Sequence, residues 1–255
     1  LPVLKCIPGL VFLEHDAYQN YMPASKYRGV YSRLYSRLPS CRALVSGAVV
    51  ARKMLAEGID TVFVSKGYDE QMLHNTGVER DIPIGFLGSL KSTEYAERKA
   101  MLESLSKRTG MLVTRTKSGE EYLQTLNRIR IFVSADIGMN EFMIKNYEAM
   151  ACGCVLLAWS QGEEDRLLGF EDMHNTVFYR SEEEAVEKIK LLQSDPELAE
   201  RIARNGQAFA ESRYSFARVG QALATEIQRE MRPWQPPSAF TRFWVKLRYG
   251  MKVPV

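Results

Sequence analysis

The sequence lacks several features that would place it in a specialised class of protein. Four cysteines in 255 residues are too few for a disulfide framework, and their scarcity suggests a reducing cytosol. No apolar run approaches the ~20 residues that a membrane-spanning helix needs. Internal repeats and low-complexity tracts are also missing, so collagen, coiled-coil and disordered proteins are excluded.

Motifs of metal-dependent and nucleophilic catalysis are missing as well. No Asp-x-Asp pair occurs, and the three histidines are widely scattered. Cys152 and Cys154 have no second pair to complete a zinc site, and we interpret them as small buried residues. No Walker loop and no nucleophile elbow is visible. The sequence therefore predicts neither a metal nor a bound cofactor.

Charge is present in ordinary amounts but is unevenly distributed. Residues 1–66 carry 9 basic and 4 acidic side chains, residues 67–228 carry 19 and 26, and residues 229–255 carry 6 and 1. The basic ends favour an anionic surface or ligand as a partner, and an ordinary solvated surface explains them equally well.

Short apolar runs alternate with segments of helical period, which predicts βα units and a parallel sheet. The pattern restarts at Ile82, where a helix over Ser92–Lys107 is predicted with Ser92 as its N-cap. In such sheets ligands bind beyond the carboxyl ends of the strands. The residues after each strand are therefore the candidate site residues.

The most informative stretch runs from Asn140 to Val155. It follows a predicted strand, and a helix begins near Ile144 with free backbone amides that suit a phosphate. Glu148 lies one turn further, where its carboxylate can accept hydrogen bonds from two sugar hydroxyls. The structural alternative is a carboxylate that the helix dipole merely favours.

The segment Glu148-Ala149-Met150-Ala151-Cys152-Gly153 resembles the second lobe of GT-B glycosyltransferases. The resemblance is strongest to the retaining family 4, the glycosyl transferases group 1, which includes bacterial lipopolysaccharide and capsule enzymes. There, a first glutamate stands eight positions before a second one. The resemblance implies that Glu148 holds the ribose of a nucleotide sugar. Asn140 stands at the first position and Glu141 follows it, so the catalytic role near the donor sugar is split between them.

The segment Ile84–Ser89 resembles the strand and glycine-rich turn that open the second lobe of this family. Glycine there lets the backbone approach a diphosphate. Members usually carry an arginine after the second glycine, where this chain has Ser89, and we interpret Arg98 as solvated on its helix. The resemblance implies a donor site formed by Gly88, Ser89, Lys91, Ile144, Lys145 and Glu148.

His15-Asp16 follows the first predicted strand and resembles a His-Asp pair near the donor sugar in the first lobe of the family. A histidine there can bond a sugar hydroxyl or a phosphate, which makes His15 a third catalytic candidate. The alternative is a surface histidine beside an aspartate cap. The turn Lys66–Asp69 resembles the end of the first lobe, with an architectural role.

The tail Phe240–Lys252 places aromatic and basic side chains on a short helix. Such a helix suits a membrane interface. It also suits a crossing helix that packs Trp244 and Phe240 on the first lobe, as in GT-B chains, and the two interpretations are compatible.

Together these resemblances imply an α/β protein of GT-B-like architecture. It would have a Rossmann-type parallel-sheet lobe, an incomplete second αβα lobe and a crossing C-terminal helix. The expected boundaries are 1–75 for a partial acceptor-side lobe, 76–232 for the nucleotide-sugar-binding lobe and 233–255 for the crossing helix. Because few strands precede residue 70, we expect either a chain without about its first hundred residues or a reduced natural form.

The implied function is transfer of a sugar from a UDP- or GDP-sugar to a glycan or lipid-linked glycan. Family analogy adds metal independence, retention of configuration and a cytoplasmic location at the inner membrane face, with no nucleic-acid partner. One alternative is a non-catalytic nucleotide-sugar-binding or scaffold protein, favoured by the missing arginine and the displaced glutamate. The other is a GT-B nucleotide-sugar epimerase, which needs additional acidic or basic residues near the sugar.

Overall fold

The computed structural model describes residues 1–90 and 96–254. By its internal contacts the chain forms two compact units, which we call unit 1 (residues 1–64 and 222–255) and unit 2 (residues 65–221). The boundaries between the two units, after residues 64 and 221, lie earlier in the chain than the lobe boundaries expected after residues 75 and 232. Those expected lobe boundaries stay a prediction.

The strands form one sheet in each unit, and all neighbouring strands are parallel, which confirms the α/β class. The strand order is β1-β2-β3 in unit 1 and β5-β4-β6-β7-β8 in unit 2. The strands are β1 (Val11–Glu14), β2 (Arg42–Val45), β3 (Thr61–Phe63), β4 (Ile82–Leu87), β5 (Leu112–Thr114), β6 (Ile129–Ser134), β7 (Val155–Trp159) and β8 (Val177–Tyr179).

Helices connect the strands, and a short 3-10 helix covers Ala17–Asn20. The described α-helices are α1 (Pro2–Lys5), α2 (Val30–Tyr35), α3 (Ala48–Ala56), α4 (Ala96–Thr109), α5 (Glu120–Arg128), α6 (Ile144–Ala151), α7 (Glu163–Leu168), α8 (Glu182–Ser194), α9 (Pro196–Arg213), α10 (Phe216–Gln228) and α11 (Ala239–Tyr249). The predicted N-cap Ser92 lies outside the described residues. Within the described part of the chain, no helix has the length and apolar character required to cross a bilayer.

The core of unit 2 is built on β6 and β7, whose apolar side chains are buried on both faces of the sheet. Gly85 on β4 serves this core directly. A Cβ atom there would lie 2.7 Å from Cδ1 of Ile129 on β6. The absence of a side chain therefore allows β4 and β6 to pair at this point, which fixes the strand that leads into the candidate site.

Arg42 connects the amino-terminal and carboxyl-terminal segments of unit 1. It begins β2, is buried, and pairs with Asp60 at 3.2 Å. Its guanidinium also donates hydrogen bonds to the carbonyl oxygens of Glu226, Arg229 and Glu230, at 2.7–3.0 Å. These carbonyls belong to the end of α10 and the residues after it, where no further helical turn satisfies them.

The structure corrects one part of the crossing-helix expectation. Phe240 does not pack, because 77% of it is exposed, and Trp244 is 38% exposed. Val245, which is fully buried, anchors α11 instead. Of the two residues expected to hold the helix in place, Phe240 therefore lies mostly in solvent, whereas Trp244 is partly buried.

We predict that Arg42→Ala lowers the free energy of unfolding by about 2–4 kcal/mol, because it removes the hydrogen bonds to three carbonyl groups at the end of α10 and the counter-charge of Asp60. Urea denaturation measures this change. Arg229→Ala is the matched control, since that side chain is 67% exposed, and we expect little effect. Equal stabilities of the two variants would contradict the role given to Arg42.

Candidate functional site

A cavity of about 540 Å³ lies in unit 2 at the carboxyl edge of the five-stranded sheet. Its walls come from the residues that follow β4 and β5 and from the first turns of α5 and α6. It therefore occupies the position at which parallel α/β sheets bind ligands. Five of the predicted site residues line it, namely Gly88, Ser89, Ile144, Lys145 and Glu148. Lys91 lies outside the described residues.

Gly88 turns the chain into the cavity directly after β4. Its amide donates a hydrogen bond to the carbonyl of Thr114 at 3.0 Å, which ties the turn to β5. A Cβ atom at this position would lie 2.7 Å from the ring of Phe86 and 3.2 Å from Cε of Lys145. Glycine at position 88 thus leaves room for the Lys145 side chain. The missing side chain would also allow a ligand to approach the backbone there.

The amino end of α6 opens towards this cavity. Its N-cap residue, Met143, has an extended backbone and offers no side-chain hydrogen bond to the first turn. Ile144, the first helical residue, is 38% exposed and lines the cavity. Because the first amides of a helix have no intrahelical partner, this end of α6 presents hydrogen-bond donors and a partial positive charge.

Glu148, Tyr122 and Lys145 form a polar cluster on one wall of the cavity. The hydroxyl of Tyr122 donates to Oε2 of Glu148 at 2.6 Å. Nζ of Lys145 lies 4.8 Å from the centroid of the Tyr122 ring, a cation–π distance. The tyrosine therefore contacts both charged groups and holds them in fixed positions.

Burial shifts the titration of two members of this cluster. It raises the pKa of Tyr122 well above its usual range, and the Glu148 charge and hydrogen bond add to this effect. It also lowers the pKa of Lys145, although the nearby Glu148 charge opposes the shift. Because burial removes water from around Lys145, its charge is weakly screened and interacts strongly with an anion that enters the cavity.

Two further cations and Tyr122 line the cavity, and the sequence analysis missed them. Arg115 and Lys117 are exposed on the loop after β5. The general rule that ligands bind after the carboxyl ends of parallel strands applies to the Arg115–Gly119 loop and could have found these two cations. The structure thus places three described cations and two helix ends without side-chain caps, those of α5 and α6, around the same space.

Glu141, a predicted catalytic residue, does not line this cavity. It is fully buried, and its Oε1 lies 3.2 Å from Nζ of Lys66. Lys66 is itself 6% exposed and also donates to the carbonyl of Phe142 at 3.5 Å. The turn at Lys66, which was given an architectural role, therefore supplies the counter-charge for Glu141.

Asn140 is exposed and lies in the loop between β6 and α6, with a φ of 50°.

The same loop contributes Asp136 to a second buried ion pair, with Arg98, which corrects the expectation that Arg98 is solvated. Arg98 is 7% exposed and pairs with Asp136. Asp136 also accepts hydrogen bonds from Ser134 at 2.8 Å and from Asn146 at 3.2 Å. This network connects α4, β6 and α6.

His15, the third predicted catalytic residue, belongs to unit 1 and is exposed directly after β1. Its carbonyl oxygen accepts a hydrogen bond from the hydroxyl of Ser46 at 2.9 Å. That contact joins the ends of β1 and β2. Its position after a parallel strand agrees with the rule that selected it, and its role stays a prediction.

A second cavity of about 480 Å³ lies at the amino edge of the same sheet, beside Arg130 and Gly153. Arg80 contributes to its wall, but its guanidinium already donates hydrogen bonds to the carbonyls of Ile129 at 2.7 Å and Cys152 at 2.6 Å, which gives it a structural role. The amino end of α9 also reaches this cavity at Pro196, but Asp195 caps it by accepting a hydrogen bond from the amide of Leu198 at 2.9 Å. Ligands of parallel sheets bind at the carboxyl edge, so this cavity is the weaker candidate.

The described residues contain no group of three or more His, Cys, Asp or Glu side chains placed to hold a metal ion. The predicted burial of Cys152 and Cys154 is confirmed. The cavity instead offers cations and helix amides for an anion, together with two carboxylates, Glu148 and Asp69, of which Glu148 accepts a hydrogen bond from Tyr122. Chemically, this combination suits a phosphorylated ligand that also carries hydroxyl groups.

Comparisons with known proteins agree with this fold. A family model described as glycosyl transferase-like matches residues 70–225. No curated protein sequence matches the chain significantly. Among solved structures, HepE from Anabaena with UDP and glucose superposes with a TM-score of 0.69, at 16% identity, over 88% of this chain and 72% of that one. Sucrose-phosphate synthase from Thermosynechococcus elongatus superposes with a TM-score of 0.60, at 12% identity, over 84% of this chain and 66% of that one. At these identities the similarity shows the fold, and the expected GT-B type is confirmed.

We predict that Lys66→Met destabilises the chain by about 3–5 kcal/mol, because it removes the counter-charge of the buried Glu141 carboxylate. Adding Glu141→Gln to Lys66→Met removes that charge, so the double variant loses less stability than the two single variants combined. Chemical denaturation of all three measures the coupling.

The matched control is Lys99→Met, which breaks a pair whose side chains are 51% and 54% exposed and has little effect on stability. Strictly additive stabilities for Lys66 and Glu141 would contradict a structural pair and would return Glu141 to the catalytic candidates.

Proposed function

The chain belongs to the glycosyl transferase-like family, and from that premise we propose that it transfers a sugar from a nucleoside-diphosphate sugar to an acceptor. The observation that supports this proposal most directly is the cavity in which Lys145, Glu148 and the amino end of α6 lie together. A nucleotide sugar presents phosphate charge and ribose hydroxyls close to each other, and this cavity offers partners for both.

The diphosphate is assigned to the side of the cavity formed by Ser89, Lys145 and the first turn of α6. Lys145 supplies a desolvated charge, and the uncapped helix end supplies amide donors. Arg115 and Lys117 add positive charge at the rim. Ser89 replaces the arginine usual in family 4, so Lys145 carries more of the charge balance in this chain.

The ribose is assigned to Glu148. Tyr122 occupies Oε2 of this carboxylate and leaves Oε1 for a ribose hydroxyl. A hydrogen bond from a hydroxyl to a carboxylate is stronger than a neutral one, which suits Glu148 for the binding of the donor. The nucleotide is UDP or GDP in this proposal. The known complexes of HepE contain UDP, glucose and UDP-glucose, which makes UDP the first nucleotide to test.

The finer features of the reaction rest on the resemblance to family 4. They are retention of configuration, a hexosyl donor, Asn140 and His15 near the donor sugar, and a glycan or lipid-linked glycan acceptor at the inner membrane face. Metal independence is supported by the missing Asp-x-Asp pair and by Lys145 and α6, which can stabilise a leaving diphosphate electrostatically.

A second candidate is a nucleotide-sugar-binding protein without transfer activity. Two observations favour it, namely Ser89 in place of an arginine and the burial of Glu141 in an ion pair. Under this alternative the cavity binds the same donor, but no group near the sugar assists the departure of the diphosphate.

We predict that the chain binds UDP and that Glu148→Ala weakens binding roughly 10- to 100-fold, which corresponds to the loss of about 1.5–3 kcal/mol from a charged hydrogen bond. Calorimetric titration with UDP, GDP and UDP-glucose, in one series with EDTA and in a second series with Mg²⁺, measures the affinities. Glu121→Ala is the matched control, since this exposed residue of α5 lies outside the lining of the cavity.

Absence of nucleotide binding, or wild-type affinity in Glu148→Ala, would refute the donor site. Dependence of binding on a divalent cation would refute metal independence. Release of UDP from UDP-glucose without an acceptor, followed over hours, separates a transferase from the non-catalytic alternative, which releases none.

We predict that UDP affinity falls as the pH rises above neutrality. Burial lowers the pKa of Lys145, so the lysine loses its charge at a lower pH than an exposed lysine does, while the phosphates of UDP are already ionised above about pH 7. A bound diphosphate favours charged Lys145, so binding takes up protons at alkaline pH. Calorimetry in two buffers with different ionisation enthalpies measures this uptake.

The Lys145→Met variant is expected to bind UDP weakly, with no proton uptake. Lys117→Met, which removes an exposed cation at the rim, keeps the pH dependence of the wild type. Proton uptake that persists in Lys145→Met would show that another group titrates.

A further inference from the structure

The last described helix, α11, presents an apolar side to solvent. Phe240, Phe243 and Leu247 are 77%, 64% and 74% exposed. At about 100° of rotation per residue these three side chains fall on one side of the helix, with Trp244 at its border. Val245, which is fully buried, lies on the opposite side. The helix is therefore anchored to unit 1 by its narrow inner face, and its large apolar residues point away.

This helix is held in place within unit 1. The hydroxyl of Ser238 accepts a hydrogen bond from the amide of Thr241 at 3.3 Å, and Gly250 ends the helix with a left-handed backbone. The preceding proline-rich segment is fixed by Trp234, whose ring nitrogen donates to the carbonyl of Lys5 at 3.1 Å. The exposed side is thus preformed and needs no ordering before it binds a partner.

Positive charge surrounds the exposed side of α11. Residues 239–254 contain Arg242, Lys246, Arg248 and Lys252 and no acidic residue. By the same helical spacing, Lys246 and Arg248 flank the apolar side on its two edges. A partner of this surface must therefore combine an apolar layer with negative charge at its border.

A basic cavity adjoins the start of α11 in the same unit. It measures about 690 Å³, and Ser238 and Thr241 at the start of the helix form part of its wall. Lys5, Arg37 and Arg232 contribute the charged side chains, and no acidic residue lines it among the described residues. Its chemistry suits a phosphate group, which agrees with the charge around α11.

We propose that α11 docks the chain on the surface of an anionic phospholipid bilayer. Phe240, Phe243 and Leu247 would enter the interface, while Lys246 and Arg248 lie at the level of the head groups. An 11-residue helix is too short to cross the bilayer, so it lies along the surface. A second copy of the chain fits this face less well, because it would bring the same unneutralised cations together.

The test is sedimentation of the full chain with vesicles. We expect it to bind vesicles of phosphatidylcholine with about a third phosphatidylglycerol, and to bind pure phosphatidylcholine at least about tenfold more weakly. The double variant Phe243→Ser with Leu247→Ser should lower binding to the anionic vesicles at least about tenfold. Lys246→Gln with Arg248→Gln should also weaken it and reduce its dependence on salt.

Leu55→Ser with Ile227→Ser is the matched control, since it removes two exposed apolar residues of unit 1 that are 50% and 47% exposed. This control should bind vesicles as the wild type does. Circular dichroism and the thermal midpoint verify that each variant folds. Failure to bind anionic vesicles, or wild-type binding by Phe243→Ser with Leu247→Ser, overturns the proposal.

Self-association offers a further decisive outcome. The proposal would be wrong if the wild type failed to bind vesicles and formed a dimer by light scattering that Phe243→Ser with Leu247→Ser dissociates. That result would assign the exposed side of α11 to a second copy of the chain. The inference deepens the proposed function, whose acceptor lies at the inner membrane face, but its observations come from unit 1 alone. UDP titration of the same variants therefore separates the two, because nucleotide binding can fail while vesicle binding persists.

Discussion

The candidate site depends on two charges that are buried in the loop between β6 and α6. Asp136 begins this loop and pairs with Arg98 of α4, and Glu141 near its end pairs with Lys66. A buried charge is costly unless it is paired and hydrogen-bonded, so the loop is strongly restricted to conformations that keep both pairs. Asn140, whose φ is 50°, lies between them. These pairs thereby fix where α6 begins, and with it the positions of Lys145 and Glu148.

The chemistry of the cavity follows from this arrangement. Because α6 begins at Ile144, its free amides and Lys145 lie beside the turn at Gly88, where the missing side chain leaves room for the lysine. Tyr122 then links Lys145 to Glu148 through its ring and its hydroxyl. A cation, helix amides and a carboxylate are thus held within one cavity before any ligand arrives, which reduces the ordering cost of binding.

Local patterns predicted the parts of the fold that depend on near neighbours in the chain. The alternation of apolar runs predicted parallel sheets with ligands beyond the strand ends. The resemblance to a known family, carried by short local motifs, implied Gly88, Ser89, Lys145 and Glu148, all of which line the cavity. The ion pairs escaped prediction because their partners are distant in sequence; Arg98 and Asp136 are 38 positions apart. An arginine on a helix has the same local sequence pattern whether its side chain is solvated or buried.

The exposure of α11 escaped prediction for a related reason. An aromatic and basic helix has the same sequence pattern whether its apolar side packs on the protein or faces outward, and only the burial of Val245 decides between them. Similarly, Glu141 stands one position after the first glutamate of the family pattern, yet its burial beside Lys66 depends on a turn 75 positions earlier. Motif spacing identifies which residues lie near a site, whereas tertiary contacts decide which of them are accessible to a ligand.

The central claim is that the carboxyl edge of the five-stranded sheet binds the nucleotide of a sugar donor. A crystal structure of the full chain with UDP tests it most directly. The account predicts a ribose hydroxyl within hydrogen-bond distance of Glu148, and the diphosphate beside Lys145 and the amino end of α6. UDP bound in the cavity beside Arg130 and Gly153, or against residues of unit 1 alone, would contradict it.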